Sequence, residues 1–244
     1  MDKKITDTLL NTRLCDLGLE LGESLFQPVI VELERELDRA GIVLRPRHYL
    51  STGYGCNIRS VDVGLLFTDG FPALKKLAAE RGMRTRSPFQ MLRTLRHEAG
   101  HAFCYSNRLF ATAAFRRLFG VRGRFYESYP DRWRPTAADR ARVARGEIIQ
   151  VYAARHADED FATLFQTWLA APAACLDRYR GRPRIAEKLA FVAESVRLHG
   201  RTPARPGGAR LSDDVNLMKT TLGRWFAAVE RRQDYNLFPK GPVA

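Results

Sequence analysis

Ser87-Pro88-Phe89-Gln90-Met91-Leu92-Arg93-Thr94-Leu95-Arg96-His97-Glu98-Ala99-Gly100-His101-Ala102-Phe103-Cys104 is the stretch from which the rest of the chain is read. It opens as a helix should. Serine can cap, proline suits the first helical position, and glutamine three residues after the serine completes a capping box. A long helix is therefore expected from Pro88 to about Arg108. Leu92, Leu95, Ala99, Ala102 and Phe103 gather on one side of it, which leaves the opposite side to His97 and His101.

His97-Glu98-Ala99-Gly100-His101 matches the pattern H-E-x-x-H. Histidines four residues apart project from one helical face, so both can reach a single tetrahedral zinc ion. Glu98 lies about 100° round the helix from His97, beside the metal position. There its carboxylate can act as general base toward water without being a ligand. A third ligand is needed. A longer histidine motif fails to supply it, because Cys104 and Asn107 occupy the positions where glycine and a third histidine would stand.

The next candidates lie in VYAARHADEDFATLFQTWLAAP, residues 151–172, which offers His156, Asp158, Glu159 and Asp160 around the start of a second helix. Asp158 is read as the amino-terminal cap. On that helix Phe161, Leu164, Phe165 and Trp168 form a core face. Glu159, Ala162, Thr163, Gln166 and Ala170 form the opposite, small and polar stripe. Small side chains allow close approach to the first helix, so Glu159 can deliver a carboxylate to the metal while Asp160 points sideways. His156 is the rival ligand, with a loop hydrogen bond as its ordinary alternative. Tyr152, seven residues before Glu159, stands where a phenol could donate to an oxyanion; ordinary aromatic packing is the other reading.

Around these two helices the pattern is mainly helical from Thr6 to Ala40, stopped by Gly41. Ile42 to Leu50 is extended, a glycine-rich turn follows, and Val61 to Phe67 reads as a second strand. Asp69-Gly70 reads as a turn, and a short helix from Phe71 to Arg81 enters through Pro72. After the long helix a further segment runs to Phe119. VRGRFYESYPDRWRP, residues 121–135, is a loop. Helical signals resume from Thr136 to about Ala154, then from about Pro183 to Leu198 and from Ser212 to Arg231. The linker GRTPARPGG, residues 200–208, lies between the last two. The expected organisation is an N-terminal helical segment, 1–40, packed on a catalytic domain, 41–200, followed by a linker and C-terminal helix, 201–244. The fold class is α+β: mostly helical, with a small sheet upstream of the histidine helix.

Composition is that of an ordinary folded chain: 244 residues, 45% hydrophobic and 27% charged. No run approaches the ~18 apolar residues needed to span a membrane, and the first residues do not read as a secretory signal. The four cysteines, Cys15, Cys56, Cys104 and Cys175, are scattered and form no C-x-x-C pair. Reduced thiols and a cytoplasmic location are expected. The formal charge of +13 is compatible with nucleic acid or another polyanion. However, the arginines are spread over most of the chain after position 80 rather than gathered in one block, so a nucleic-acid partner is not favoured.

LRHEAGH and YAARHADEDFATLFQTWL resemble the segments L-R-H-E-x-G-H and Y-A-x-x-H-P-x-E-D-F-A-E-x-F-x-x-W-L of a group of gluzincin-like zinc-binding metallopeptidases. The later DRYRGRPRIAEKLAFV is similar to the W-x-x-Y-x-x-x-P-A-x-x-K-L segment of the same group, so the resemblance covers roughly residues 46–196. It implies a zincin-like catalytic domain that hydrolyses a peptide or protein substrate with Zn2+. His97, His101 and Glu159 would be the ligands, Glu98 the general base and Tyr152 the oxyanion donor. An extended substrate would pair with a strand edge, expected at Val61 to Phe67. Two positions depart from the pattern. Ala157 replaces a proline, and Thr163 stands where a second glutamate supports a ligand histidine; the latter substitution would weaken or tune the site.

Overall fold

The computed structural model describes residues 2–126, 133–203 and 211–232. The middle of the arginine-rich and aromatic loop, 127–132, and most of the linker, 204–210, lie outside the described residues. The fold is α+β and mostly helical, with one three-stranded sheet.

The N-terminal region is less continuously helical than its leucine spacing suggests. Helix α1 (Lys3–Asn11) is capped by Asp2, and single 3-10 turns at Leu14–Asp16 and Leu21–Glu23 lead to α2 (Gln27–Arg39). Gly18, with φ +62°, breaks the leucine run between them, and Gly41, with φ +71°, ends α2 as expected. Strands β1 (His48–Ser51), β2 (Gly55–Cys56) and β3 (Val63–Leu66) follow, in the spatial order β1-β3-β2. β1 runs parallel to β3, with Leu50 opposite Leu65, and β2 runs antiparallel to it, with Cys56 opposite Val63. Gly64 is required here: a Cβ at that position would lie 2.9 Å from Ser51 Cβ and 3.1 Å from the Tyr49 hydroxyl.

This order corrects the expectation that Val61 to Phe67 offers an edge to substrate. β3 is the central strand and all four of its residues are buried. An uninterrupted apolar run is how a strand buried on both faces reads. The strand nearest the histidine helix is β2.

Helices α3 (Phe67–Gly70) and α4 (Pro72–Glu80) lead to α5 (Pro88–Ser106). Asp69-Gly70 is thus the end of a short helix rather than an open turn. At α5 the capping box is present on both sides: the Ser87 hydroxyl accepts from the Gln90 N–H and the Gln90 side chain accepts from the Ser87 N–H. Next come α6 (Ala113–Leu118) and α7 (Ala137–Ala144). The latter starts at a Thr136 cap but stops ten residues short of Ala154, because Gly146 takes φ +68° and turns the chain. A 3-10 turn, Val151–Ala154, then feeds α8 (Ala157–Ala170), followed by α9 (Pro172–Arg178), α10 (Pro183–His199) and α11 (Leu222–Arg232).

One continuous core extends from Leu14 to Val229. The segments around residues 12–14 and 213–222 are tied into it. The Leu14 N–H donates to the Thr220 carbonyl and the Leu222 N–H to the Thr12 carbonyl, while the Tyr49 and Ser51 hydroxyls donate to Asp213 at 3.0 and 2.7 Å. Two ion pairs, one part-buried and one buried, set the helices that matter most. Arg96 of α5 grips Glu36 of α2 in a bidentate pair at 2.6 and 2.5 Å, fixing α5 one residue before His97. Lys188 of α10 reaches Asp160 of α8 at 2.5 Å and the Glu147 carbonyl at 3.0 Å. Pairs of this kind fix geometry more than they add stability.

His48, at the start of β1, bears on acid stability. Burial pulls its pKa from 6.5 down to about 4. The unfolded chain takes up this proton below about 6.5 and the native chain does not until about 4, so stability falls as pH drops through that interval. His48→Gln is expected to flatten the decline. Unfolding free energies at pH 7 and 4.5 should differ less in the variant, by on the order of 1–2 kcal/mol once the partial exposure of the ring is allowed for.

Candidate metal centre

Helices α5 and α8 cross at their smallest residues. A Cβ on Gly100 would lie 3.0 Å from both the Ala162 Cα and the Phe165 Cβ, so the two backbones approach as closely as the small stripe on α8 suggests. The second half of α5 is buried on every side: His97, Glu98, Gly100 and His101 all lie under α8 or toward β2, with Glu98 only 4% exposed. Gly100→Ala gains about 1 kcal/mol in helix propensity. It must also separate two backbones, a strain of about 1–3 kcal/mol. The expected result is weaker metal retention on dialysis than in the wild-type chain, with a thermal midpoint no higher.

At this crossing three donor atoms converge. His97 Nε2 lies 2.9 Å from Glu159 Oε2, His101 Nε2 lies 3.1 Å from His97 Nε2, and His101 Nε2 lies 3.4 Å from Glu159 Oε2. Ligands at ~2.0–2.1 Å from a tetrahedral centre stand about 3.3 Å apart, so the triangle has the size that such a centre requires. All three residues are buried and the group could hold a metal ion. Electrostatics favour a cation as well. Burial would raise the Glu159 pKa, but hydrogen bonds from His101 and His97 outweigh it and keep the carboxylate ionised. Burial raises Glu98, against the pull of the same two histidines, which moves a carboxylate toward the range useful to a general base.

The structure assigns the other candidates different places. His156 lies outside this group. It is the cap of α8: its Nδ1 accepts from the Asp158 N–H at 3.2 Å and its Nε2 donates to the Phe125 carbonyl at 3.0 Å. Both ring nitrogens are thereby used, and burial lowers the pKa of the ring, in keeping with a neutral imidazole. Asp158 is therefore not the cap that its position suggests. Its carboxylate turns inward, with Oδ1 3.0 Å from His101 Nδ1, and accepts a hydrogen bond from the Tyr105 hydroxyl on Oδ2. Asp160 points away, to Lys188.

Thr163 accepts from the Gln150 side chain at 3.2 Å, and Gln150 in turn accepts from Arg93 at 2.9 Å. The position of the expected glutamate is thus occupied by a neutral link between α8, α5 and the turn before Tyr152. The Tyr152 hydroxyl donates to Glu159 Oε1 at 2.8 Å and accepts from Arg155 at 2.9 Å. Burial, then the Glu159 charge, raises the pKa of the phenol, so it stays protonated and able to donate.

The group opens into a cleft of about 320 Å³, enough for a short stretch of peptide. It is lined by Tyr54, Gly55 and Cys56 at β2, by Tyr105, Phe125 and Tyr126, and by Glu98, Tyr152 and Arg155 together with the His-His-Glu group. Fold and site together define a mostly helical α+β chain with a buried His-His-Glu group able to hold a metal ion. No protein-family model, no curated protein and no solved structure matches the chain. Among the described residues no helix is long and apolar enough to cross a membrane.

Proposed function

We propose that the chain is a zinc-dependent metallopeptidase of the zincin type, acting on a peptide or protein substrate. The observation that carries this reading is the convergence of His97, His101 and Glu159 with Glu98 beside them in one open cleft. Two imidazoles and a carboxylate form a donor set suited to catalytic zinc, with one position left for water or substrate. When bound, zinc supplies Lewis-acid polarisation of a carbonyl and acidifies water.

The chain's own residues do the rest. Glu98 takes a proton from the attacking water and returns it to the leaving amine. Tyr152, protonated and 2.8 Å from Glu159, can swing its donor from that carboxylate to the oxyanion that forms when water adds. Arg155 steadies the phenol from the other side. An extended substrate is placed along β2, the outer strand of the sheet on the cleft side.

The test is cleavage of a diverse peptide library by the zinc-loaded chain. The proposal expects cleavage that a chelator stops and added zinc restores. Absence of any cleaved peptide at full zinc occupancy would count against it.

A further inference from the structure

We propose that Asp158 is the positioning residue for the metal ligand His101, supplying the carboxylate that Thr163 does not. The proposal rests on the zinc reading above. His101 has two ring nitrogens, and only one can face the metal. Nε2 lies in the ligand triangle, so Nδ1 must carry the proton and needs an acceptor behind it. The acceptor in place is Asp158 Oδ1 at 3.0 Å. The two atoms are in contact but lie outside hydrogen-bond alignment, and both are otherwise buried and unsatisfied.

Asp158 is itself held at two points, one of them anchored further. Tyr105 donates to its second oxygen, its own N–H is anchored by His156, and His156 is tied to the Phe125 carbonyl. The Tyr105 ring also stacks on His101, with centroids 5.8 Å apart and planes at 24°. The imidazole is thus clamped by a ring on its face and a carboxylate at its edge. Thr163, one turn further along α8, is engaged with Gln150. The charge that orients a ligand histidine is therefore delivered from the residue before Glu159 rather than from four residues after it.

The test compares zinc dissociation constants, by competition with a chromophoric chelator, for the wild-type chain, Asp158→Asn and Asp158→Ala. It adds the visible spectrum of each cobalt-substituted protein. Loss of an outer partner of this kind costs about 10–100-fold in metal affinity. Asp158→Ala is expected to reach that range. Asp158→Asn, which keeps an acceptor oxygen but no charge, is expected to fall between it and wild type, with the cobalt bands displaced in both. A purely structural role would change the melting temperature and leave the cobalt bands of the folded fraction in place. Affinity within about threefold of wild type, with unchanged bands, in the isosteric Asp158→Asn would overturn the proposal even if the alanine variant does not fold. A wild-type chain that binds no zinc would overturn the zinc reading itself, which separates the two failures.

Discussion

Glu98→Gln is expected to lose about 10²–10⁴-fold of the hydrolytic rate while keeping its zinc. Glutamine has the same shape and fits the same buried position beside the ligands, so neither fold nor metal sphere should change. What disappears is a group able to accept a proton from water and return it to the amine. Glu98 is suited to that work because burial raises its pKa against the pull of His97 and His101. Cleavage rates and zinc content measured on the same sample decide the matter. Activity within tenfold of wild type at equal zinc would remove Glu98 from the mechanism.

The second large effect is expected at Glu159. Its Oε2 lies 2.9 Å from His97 Nε2 and 3.4 Å from His101 Nε2. On the proposed reading Glu159→Ala removes a ligand and the buried negative charge that would compensate a cation, so zinc affinity should fall by on the order of 10²-fold or more. His156→Ala is the matched control. Its ring caps α8 and meets the Phe125 carbonyl, so the variant should lose about 1 kcal/mol of stability and retain its zinc. Elemental analysis after gel filtration, with a thermal melt of each variant, separates the two. The opposite pattern, zinc lost with His156 and kept without Glu159, would exchange their roles.

The parts of the fold that the sequence shows plainly are those set by local chemistry. Ser87, Pro88 and Gln90 fix where α5 begins, and Gly41 and Gly82 end their helices with positive φ. The grouping of His97, His101 and Glu159 was legible for a related reason. Helical spacing puts His97 and His101 on one face, and the small stripe with Ala162 at its centre leaves Glu159 the room to approach. Gly100 against Ala162 is the contact that realises it.

What was not legible depends on residues far apart in the chain. Asp158 reads as a cap when only its neighbours are considered. It turns inward because His101 and Tyr105, more than fifty residues earlier, offer an imidazole nitrogen and a hydroxyl donor, and His156 takes over the cap. Nothing local shows that. The central place of β3 is a pairing decision made with β1 and β2, although the unbroken apolar run Val63–Leu66 carried a signal for it. The overrun of α7 toward Ala154 is different: Gly146 was in plain view, and its φ of +68° is the ordinary mark of a helix end.

The central claim is a zinc ion held by His97, His101 and Glu159, and the measurement that bears on it most directly is X-ray absorption at the zinc edge on the purified wild-type chain. The predicted result is about one zinc per chain with only nitrogen and oxygen neighbours at ~2.0–2.2 Å, including the multiple-scattering signature of two imidazoles. A sulfur shell at ~2.3 Å would contradict it by bringing in a thiolate, for which Cys56, which lines the cleft, is the candidate. A chain that retains no zinc after loading and dialysis would contradict it outright.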